Sequence, residues 1–337
     1  MPRRRNSRSG GDFPLPAQKN SLKPSQNGPR TQNAHHPDWN MKIIDILNQA
    51  SHCHSFEYYP PKSREKWPEF YQKIARMRAL GPSFIDVTWG TGDPTSLATL
   101  EIAQNIQAES DIETMMHITC THRSRTELLD ILRHVVRDTS LRNVMALRGN
   151  RPPDGPWTPH PEGFQSARDL VAGIRQTFGD TLGISVAAYP EGHREDGLPP
   201  DPAFIGTRAY HDQIAYLREK IDAGADFAVT QLCFDLDRLC AFRDDCARAG
   251  ISCPIVPGIL PIHSRQTWDR IAAFSATIPA ALARRYAAID SSPESLAQFA
   301  TDLLAEQMDF LHSHGFHAIH LYTLNHEKIL SKALGRA

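Results

Sequence analysis

Eight short runs of apolar, β-prone residues, separated by stretches of helical periodicity, constrain this chain more than any other feature. They are Ser55–Tyr59, Phe84–Trp89, Thr114–Cys120, Asn143–Gly149, Gly183–Tyr189, Phe227–Phe234, Pro254–Leu260 and Ala318–Leu324. Most are continuously apolar rather than alternating, the pattern of parallel strands buried on both faces. Between them, "SARDLVAGIRQTF" places Ala167, Leu170, Val171 and Ile174 on one helical stripe. "DQIAYLREKIDAGAD" does the same with Ile214, Leu217 and Ile221, and Gly224 is a stop signal. "SLAQFATDLLAEQMDFLHSHG" reads as the longest helix, closed by Gly315. Eight strand–helix repeats over roughly 270 residues predict an α/β fold, a (β/α)8 TIM barrel. A doubly wound sheet would favour a Gly-rich phosphate turn, and neither GxGxxG nor GxxxxGK[ST] occurs.

Composition narrows the class further. The 337 residues are 40% hydrophobic and 22% charged with a net charge of −1, ordinary for a soluble globular protein. No uninterrupted apolar run approaches a membrane span. The six cysteines show no CxxC pair and the sixteen histidines no HExxH, so we expect reduced thiols, a cytoplasmic setting and no metal centre. Residues 1–40 carry seven basic groups against Asp12 and Asp38, and are rich in Pro, Ser, Asn and Gly. They read as a disordered basic leader, a floppy tail or an extension upstream of a start at Met41; prolines spoil the amphipathic helix of a mitochondrial presequence. A single barrel domain over 41–337 follows, and its net negative charge argues against nucleic acid as a partner.

A barrel carries its chemistry at the C-terminal ends of the strands. Read in order, those ends are Glu57, Thr88–Trp89, His117–Thr119, Arg148–Asn150, Tyr189, Gln231, Pro257–Gly258 and Tyr322–Asn325. Glu57 is a bare carboxylate between Phe56 and Tyr58, and a carboxyl starved of water titrates abnormally. Plainer readings exist for each: Arg148 as a strand-end ion pair, Lys220 as a solvated helix residue, His117 as a satisfied core histidine, Tyr189 as packing.

The motifs "SFEYYPP", "FIDVTWG", "HITC", "NVMALRGN", "VAAYPEGH", "DAGADFAVTQLCFD", "CPIVPGILPI" and "HLYTLN" occur in one order along the barrel. Together they resemble the methylenetetrahydrofolate reductase family, from residue 55 to the C-terminus, over its catalytic barrel alone. The resemblance implies a cytoplasmic flavoprotein that binds FAD without a Rossmann fold and takes hydride from NADH or NADPH. It further implies delivery to 5,10-methylenetetrahydrofolate, giving 5-methyltetrahydrofolate for methionine biosynthesis in one-carbon metabolism, by a homo-oligomer. Glu57 would be the general acid that protonates the nitrogen leaving as the folate ring opens, kept protonated by its apolar neighbours. Thr88, His117, Arg148, Gly149, Asn150, Ala167, Tyr189, His193 and Lys220 match FAD-holding positions, and Asn150 and Gln231 match folate contacts.

Some positions depart from the family pattern. Its "LRGD" is "LRGN" here, ending in Asn150. A common Tyr is Ser166, and an acid seven residues before the family lysine is Gln213, with Asp212 one place off register. An insertion, "REDGLPPDPAFIGTRAY", lengthens the loop after the fifth strand, and His326 follows "YTLN" where some members have Arg. Asn150, Ser166 and Gln213 motivate an alternative reading as a weakly active or non-catalytic paralogue serving as partner subunit of a true reductase. A hydrolase using Glu57 and a second carboxylate is a third class; Asp86, inside its strand, reads as pointing the wrong way for that pair.

Overall fold

A computed structural model describes residues 41–335 except 90–92, 111, 152–154, 194–200 and 275–276. The leader and most of the insertion therefore lie outside the described residues. The strands are β1 (Cys53–Tyr58), β2 (Phe84–Val87), β3 (Glu113–Thr119), β4 (Asn143–Leu147), β5 (Gly183–Ala188), β6 (Phe227–Thr230), β7 (Ile255–Val256), β8 (Gly258–Ile259) and β9 (Ala318–Tyr322). The helices are α1 (Ile43–Gln49), α2 (Trp67–Arg78), α3 (Asp93–Ser110), α4 (Arg125–Asp138), α5 (Ala167–Phe178) and α6 (Arg208–Asp222). After them come α7 (Leu236–Arg248), α8 (Arg265–Phe274), α9 (Ala280–Ala288), α10 (Pro293–Ser313) and α11 (Glu327–Leu334).

All strand pairs are parallel, in the order β7-β6-β5-β4-β3-β2-β1-β9-β8. The two ends of that order are one expected strand, Pro254–Leu260, cut in two. Pro257 has no N–H to offer, so the ladder breaks there. β7 pairs with β6 before the break and β8 with β9 after it. The Pro257 carbonyl still accepts from His320 N at 2.8 Å, which carries the seam of the barrel across the gap. Elsewhere the expected strands overrun at their C-terminal ends; after β4 and β9 the chain leaves the strand through left-handed conformations at Gly149 (φ 95°) and at Leu324 (46°) and Asn325 (59°).

Strand alternation sorts the side chains into two layers. Phe56, Tyr58, Ile85, Val87, Met116 and Ile118 point outward into the main core under the helices. Cys53, Phe84, Met115, Met145, Phe227, Val229 and Val256 fill the lower barrel interior with Ile43 and Leu47 of α1, which plugs that end. Asn143 holds the plug: its Oδ1 accepts from Ile43 N at 2.8 Å and its Nδ2 donates to Met41 O at 3.0 Å. Side-chain caps set the starts of α4, α5, α6, α7 and α10, at Ser124, Ser166, Thr207, Asp235 and Ser292, with a full capping box at Ser124 and Glu127. No helix among the described residues is long and apolar enough to cross a membrane.

Candidate active site

Because Phe56 and Tyr58 face outward, the expectation that they surround Glu57 is overturned. The strand period sends Glu57 to the opposite side, into the barrel above the apolar floor. In register it lies between Asp86 of β2 and Tyr322 of β9, and Ser55 lies beside His320. Glu57 is only 5% exposed, Asp86 and His320 not at all, and His117 6%.

Their polar ends converge. His117 Nε2 stands 3.5 Å from Asp86 Oδ2 and 3.7 Å from Glu57 Oε2. His320 Nε2 stands 3.9 Å from Asp86 Oδ2 and 4.0 Å from Glu57 Oε2, while its Nδ1 is fixed 2.8 Å from Ser55 Oγ. Glu57 Oε1, Asp86 Oδ1 and His320 Nε2 have no hydrogen-bond partner among the described residues. Unsatisfied polar atoms at this depth are costly and mark a place where a ligand or a proton belongs. Asp86, set aside from the sequence, is therefore an intimate part of the group. No cluster of three or more His, Cys, Asp or Glu among the described residues is placed to hold a metal ion.

The electrostatics follow from this company. Burial alone would raise the Glu57 carboxyl; the imidazoles of His320 and His117 outweigh it and hold Glu57 below the usual carboxylate range. His320 acts through its field, since 4.0 Å is too long for a hydrogen bond. Burial alone would lower His117, but Asp86 and Glu57 pull it above the ordinary imidazole value. The strand end is braced from behind: Thr323 Oγ1 donates to Glu57 O at 2.6 Å, and Asn325 exchanges hydrogen bonds with the Tyr59 backbone at 3.0 and 3.2 Å.

A second group forms at the ends of β4 to β6. Lys220 is 4% exposed on α6; its Nζ donates to Ala187 O at 2.5 Å and faces the rings of Tyr216 and Tyr189 at 5.4 and 5.9 Å. No carboxylate pairs with it among the described residues, and burial pulls its ammonium down to about 8. The solvated-lysine reading fails because Lys220, three residues after Leu217, falls on the buried stripe. Tyr189 lies against His193, ring centroids 4.6 Å apart, and Arg148 packs over the Trp157 ring at 5.2 Å. At Gly149 a Cβ would lie 2.8 Å from Thr121 Cγ2, so the backbone is bare where it approaches that loop.

The other expected residues are placed less tightly. Thr88 is half-buried, its N–H donating to Tyr58 O and its carbonyl accepting from Thr99 Oγ1. Ala167 is buried as the first residue of α5. Asn150 is exposed beyond β4, and Gln231, exposed after β6, turns its Oε1 back onto Leu232 N. The departures have structural work of their own. Ser166 caps α5 by accepting from Asp169 N. Gln213 grips the His193 backbone twice, accepting from its N–H at 2.7 Å and donating to its carbonyl at 2.9 Å. His326 stacks on His263 with centroids 3.6 Å apart, and burial and that neighbour push it down to about 4.

Ser55 and His320 were not singled out from the sequence, and Asp86 was weighed there only as the partner of a hydrolase pair and set aside. A usable signal was present: period two in "CHSFEY" and "AIHLY" puts Ser55 with Glu57 and His320 with Tyr322.

Known proteins bear on this geometry. An uncharacterized protein from Clostridium thermocellum, described as binding two copies of 5-methyl-5,6,7,8-tetrahydrofolic acid, shares the fold. Its TM-score is 0.58 at 16% identity, over 87% of this chain and 97% of that one. Methylenetetrahydrofolate reductase (NADH) 1 of Arabidopsis thaliana is 39% identical over 86% of this chain and 49% of its own length. Methylenetetrahydrofolate reductase 1 of Schizosaccharomyces pombe is 35% identical over 89% and 47%. A probable methylenetetrahydrofolate reductase (NADPH) of Caenorhabditis elegans is 31% identical over 87% and 43%. The chain thus spans about half the length of these curated relatives. The family profile described as methylenetetrahydrofolate reductase matches residues 42–337, and the chain belongs to that family.

Proposed function

We propose that this protein reduces 5,10-methylenetetrahydrofolate to 5-methyltetrahydrofolate with FAD as cofactor and NADH or NADPH as electron source. One observation carries the reading: a buried carboxylate, Glu57, faces a protonatable imidazole, His117, at the strand ends of a barrel of this family. Opening the folate ring requires a proton on the departing nitrogen, and Glu57 backed by His117 can deliver one there.

Lys220 tests the fit to FAD. A buried ammonium whose described partner is one carbonyl, on β5, suits the negative charge of a diphosphate, and Arg148 supplies a second cation just past the adjacent strand β4. Gly149 gives close backbone approach. Tyr189 and His193 offer ring faces beside Lys220, and Thr88, Ala167 and Asn150 complete the set that would hold the cofactor. Hydride relay from nucleotide to folate is the chemistry FAD supplies when bound. Gln231 and Asn150 are exposed amides at the strand ends, each able to donate and accept toward a pterin. The cytoplasm, one-carbon metabolism and a homo-oligomer complete the reading.

An active enzyme is favoured over a non-catalytic paralogue because Ser166 and Gln213, two of the departures behind the latter, each make well-formed hydrogen bonds here. The test separates the two half-reactions. Anaerobic protein loaded with FAD should bleach with NADH or NADPH and recover its colour with methylenetetrahydrofolate. Glu57→Gln should slow the recovery by about 10²–10⁴-fold while bleaching persists. Bleaching without recovery in the parent protein, or equal recovery in the variant, would sink the proposal.

A further inference from the structure

We propose that Asp86, His117, His320 and Ser55 form a proton store behind Glu57, in which Asp86 is the positioning residue that keeps the stored proton on His117. The inference rests on the reductase reading for its purpose and on the geometry alone for its existence.

Two carboxyl groups and two imidazoles meet where water is scarce, with separations of 3.5–4.0 Å between their polar atoms. A dry site does not tolerate net charge, so an ionised Glu57 requires a compensating proton close by, and His117 Nε2 stands 3.7 Å from it. Asp86 is the deepest member, fully buried, and it touches both imidazoles. Ser55 fixes His320 from the far side, so that the unpartnered Nε2 faces the two carboxylates. Among the described residues, the other titratable groups that act on Glu57 or feel its charge are the phenols of Tyr59 and Tyr322, both held above the ordinary phenol range, so they stay neutral. On the β4 side, the register neighbour of His117 is Met145, which carries no charge.

In use, the His117 Nε2–H proton passes to Glu57 Oε2 and the Glu57 O–H proton passes to the departing folate nitrogen. That nitrogen keeps the electron pair of its broken C–N bond, and His117 is reprotonated from solvent. No electrons change hands in this step. The resting 3.7 Å gap between His117 and Glu57 is of the kind that closes when substrate binds. The store explains how Glu57 can be an acid while its own carboxyl is held low: the proton is banked on its neighbour and lent through it.

The test is an imidazole NMR titration of the full-length protein with labelled histidine and no flavin. The His117 signal is identified by its loss in His117→Gln. In the parent chain its midpoint should lie above the ordinary value of about 6.5. Asp86→Asn should lower that midpoint by about 1–3 pH units, and Asp86→Glu should restore most of it. The pH profile of flavin re-oxidation by methylenetetrahydrofolate should move acid-ward with it. A residue of merely structural importance would not move a titration midpoint. A His117 midpoint at or below the ordinary value in the parent chain overturns the store even if Asp86→Asn does not fold. An unmoved midpoint in a folded Asp86→Asn protein does the same. If the midpoint behaves as expected but folate never re-oxidises the flavin, the store stands and the reductase reading falls.

Discussion

Replacing Lys220 by Met should make the flavin-free protein more stable and the flavin-loaded protein less so. Lys220 is 4% exposed with one carbonyl as hydrogen-bond partner, and burial lowers its pKa from 10.5 to about 8. Each pH unit of that difference is worth about 1.4 kcal/mol, so holding the charge in the empty site costs the fold about 3 kcal/mol at neutral pH. Met fills a similar slot without charge but gives up the bond to Ala187 O, worth about 1 kcal/mol. The net gain is about 2 kcal/mol, or roughly 3 °C in Tm for a domain of this size. The sign of the pH dependence is fixed. Between about 8 and 10.5 the unfolded lysine holds a proton that the folded one has lost, so wild-type stability rises with pH across that window. The gap between Lys220→Met and wild type is therefore full below about 8, closes within the window and reverses to about −1 kcal/mol by 10.5, where the neutral amine still donates to Ala187 O and Met does not. With FAD at a hundred times its Kd, wild type should gain about 2.7 kcal/mol that the variant does not. Thermal unfolding across that pH window, with and without FAD, reads all three effects. A variant less stable than wild type at neutral pH without flavin, or a gap that ignores pH, would refute the argument.

The bodies of the strands were legible because a parallel barrel strand is apolar on both faces, and that signal survives in any window of four or five residues. Strand ends were not, because a left-handed turn at Leu324 and Asn325 leaves no mark on hydropathy. The seventh run read as one strand because Ile255, Val256, Ile259 and Leu260 outweigh a single proline; only the two-sided pairing of β7 and β8 exposes the break at Pro257. Glu57 stood out as a lone carboxylate in an aromatic run, yet its setting was misread. Chain neighbours of a strand residue lie on the other face, and its true companions, Asp86, His117 and His320, come from other strands. Register between distant strands is a product of closure and cannot be read along the chain. Lys220 was hidden by base composition: lysines are usually solvated, and only the buried stripe of α6 overrides that habit.

Gln213→Glu, which restores an acid at that position, should weaken flavin binding: the new carboxylate keeps the bond from His193 N but faces the His193 carbonyl without a donor, at about 1–3 kcal/mol. A flavin titration giving equal or tighter binding would contradict it. Asn150→Asp should lower the flavin potential by about 20–40 mV through Coulomb repulsion of the reduced ring, and equal potentials would remove Asn150 from the electrostatics of the site. Gly258→Ala tests whether the barrel seam and the acid are one structure. An added Cβ would lie 2.4 Å from Thr230 O and 2.5 Å from Tyr322 Cε2. Thr230 O is backbone and already accepts from Tyr322 OH at 2.8 Å, while Gly258 N is tied to Thr230 Oγ1 at 2.9 Å. Neither side can move freely, so the ring of Tyr322 must yield, at about 1–3 kcal/mol of overpacking. Tyr322 is the register partner of Glu57, and the next residue, Thr323, donates to Glu57 O. Strain at the seam is thus delivered one strand away, to the acid. Gly258→Ala should lower Tm, speed hydrogen exchange at His320 N–H and slow re-oxidation of the flavin by folate more than its reduction by nucleotide. Equal slowing of both half-reactions would mean that the seam supports the barrel as a whole and has no particular hold on Glu57.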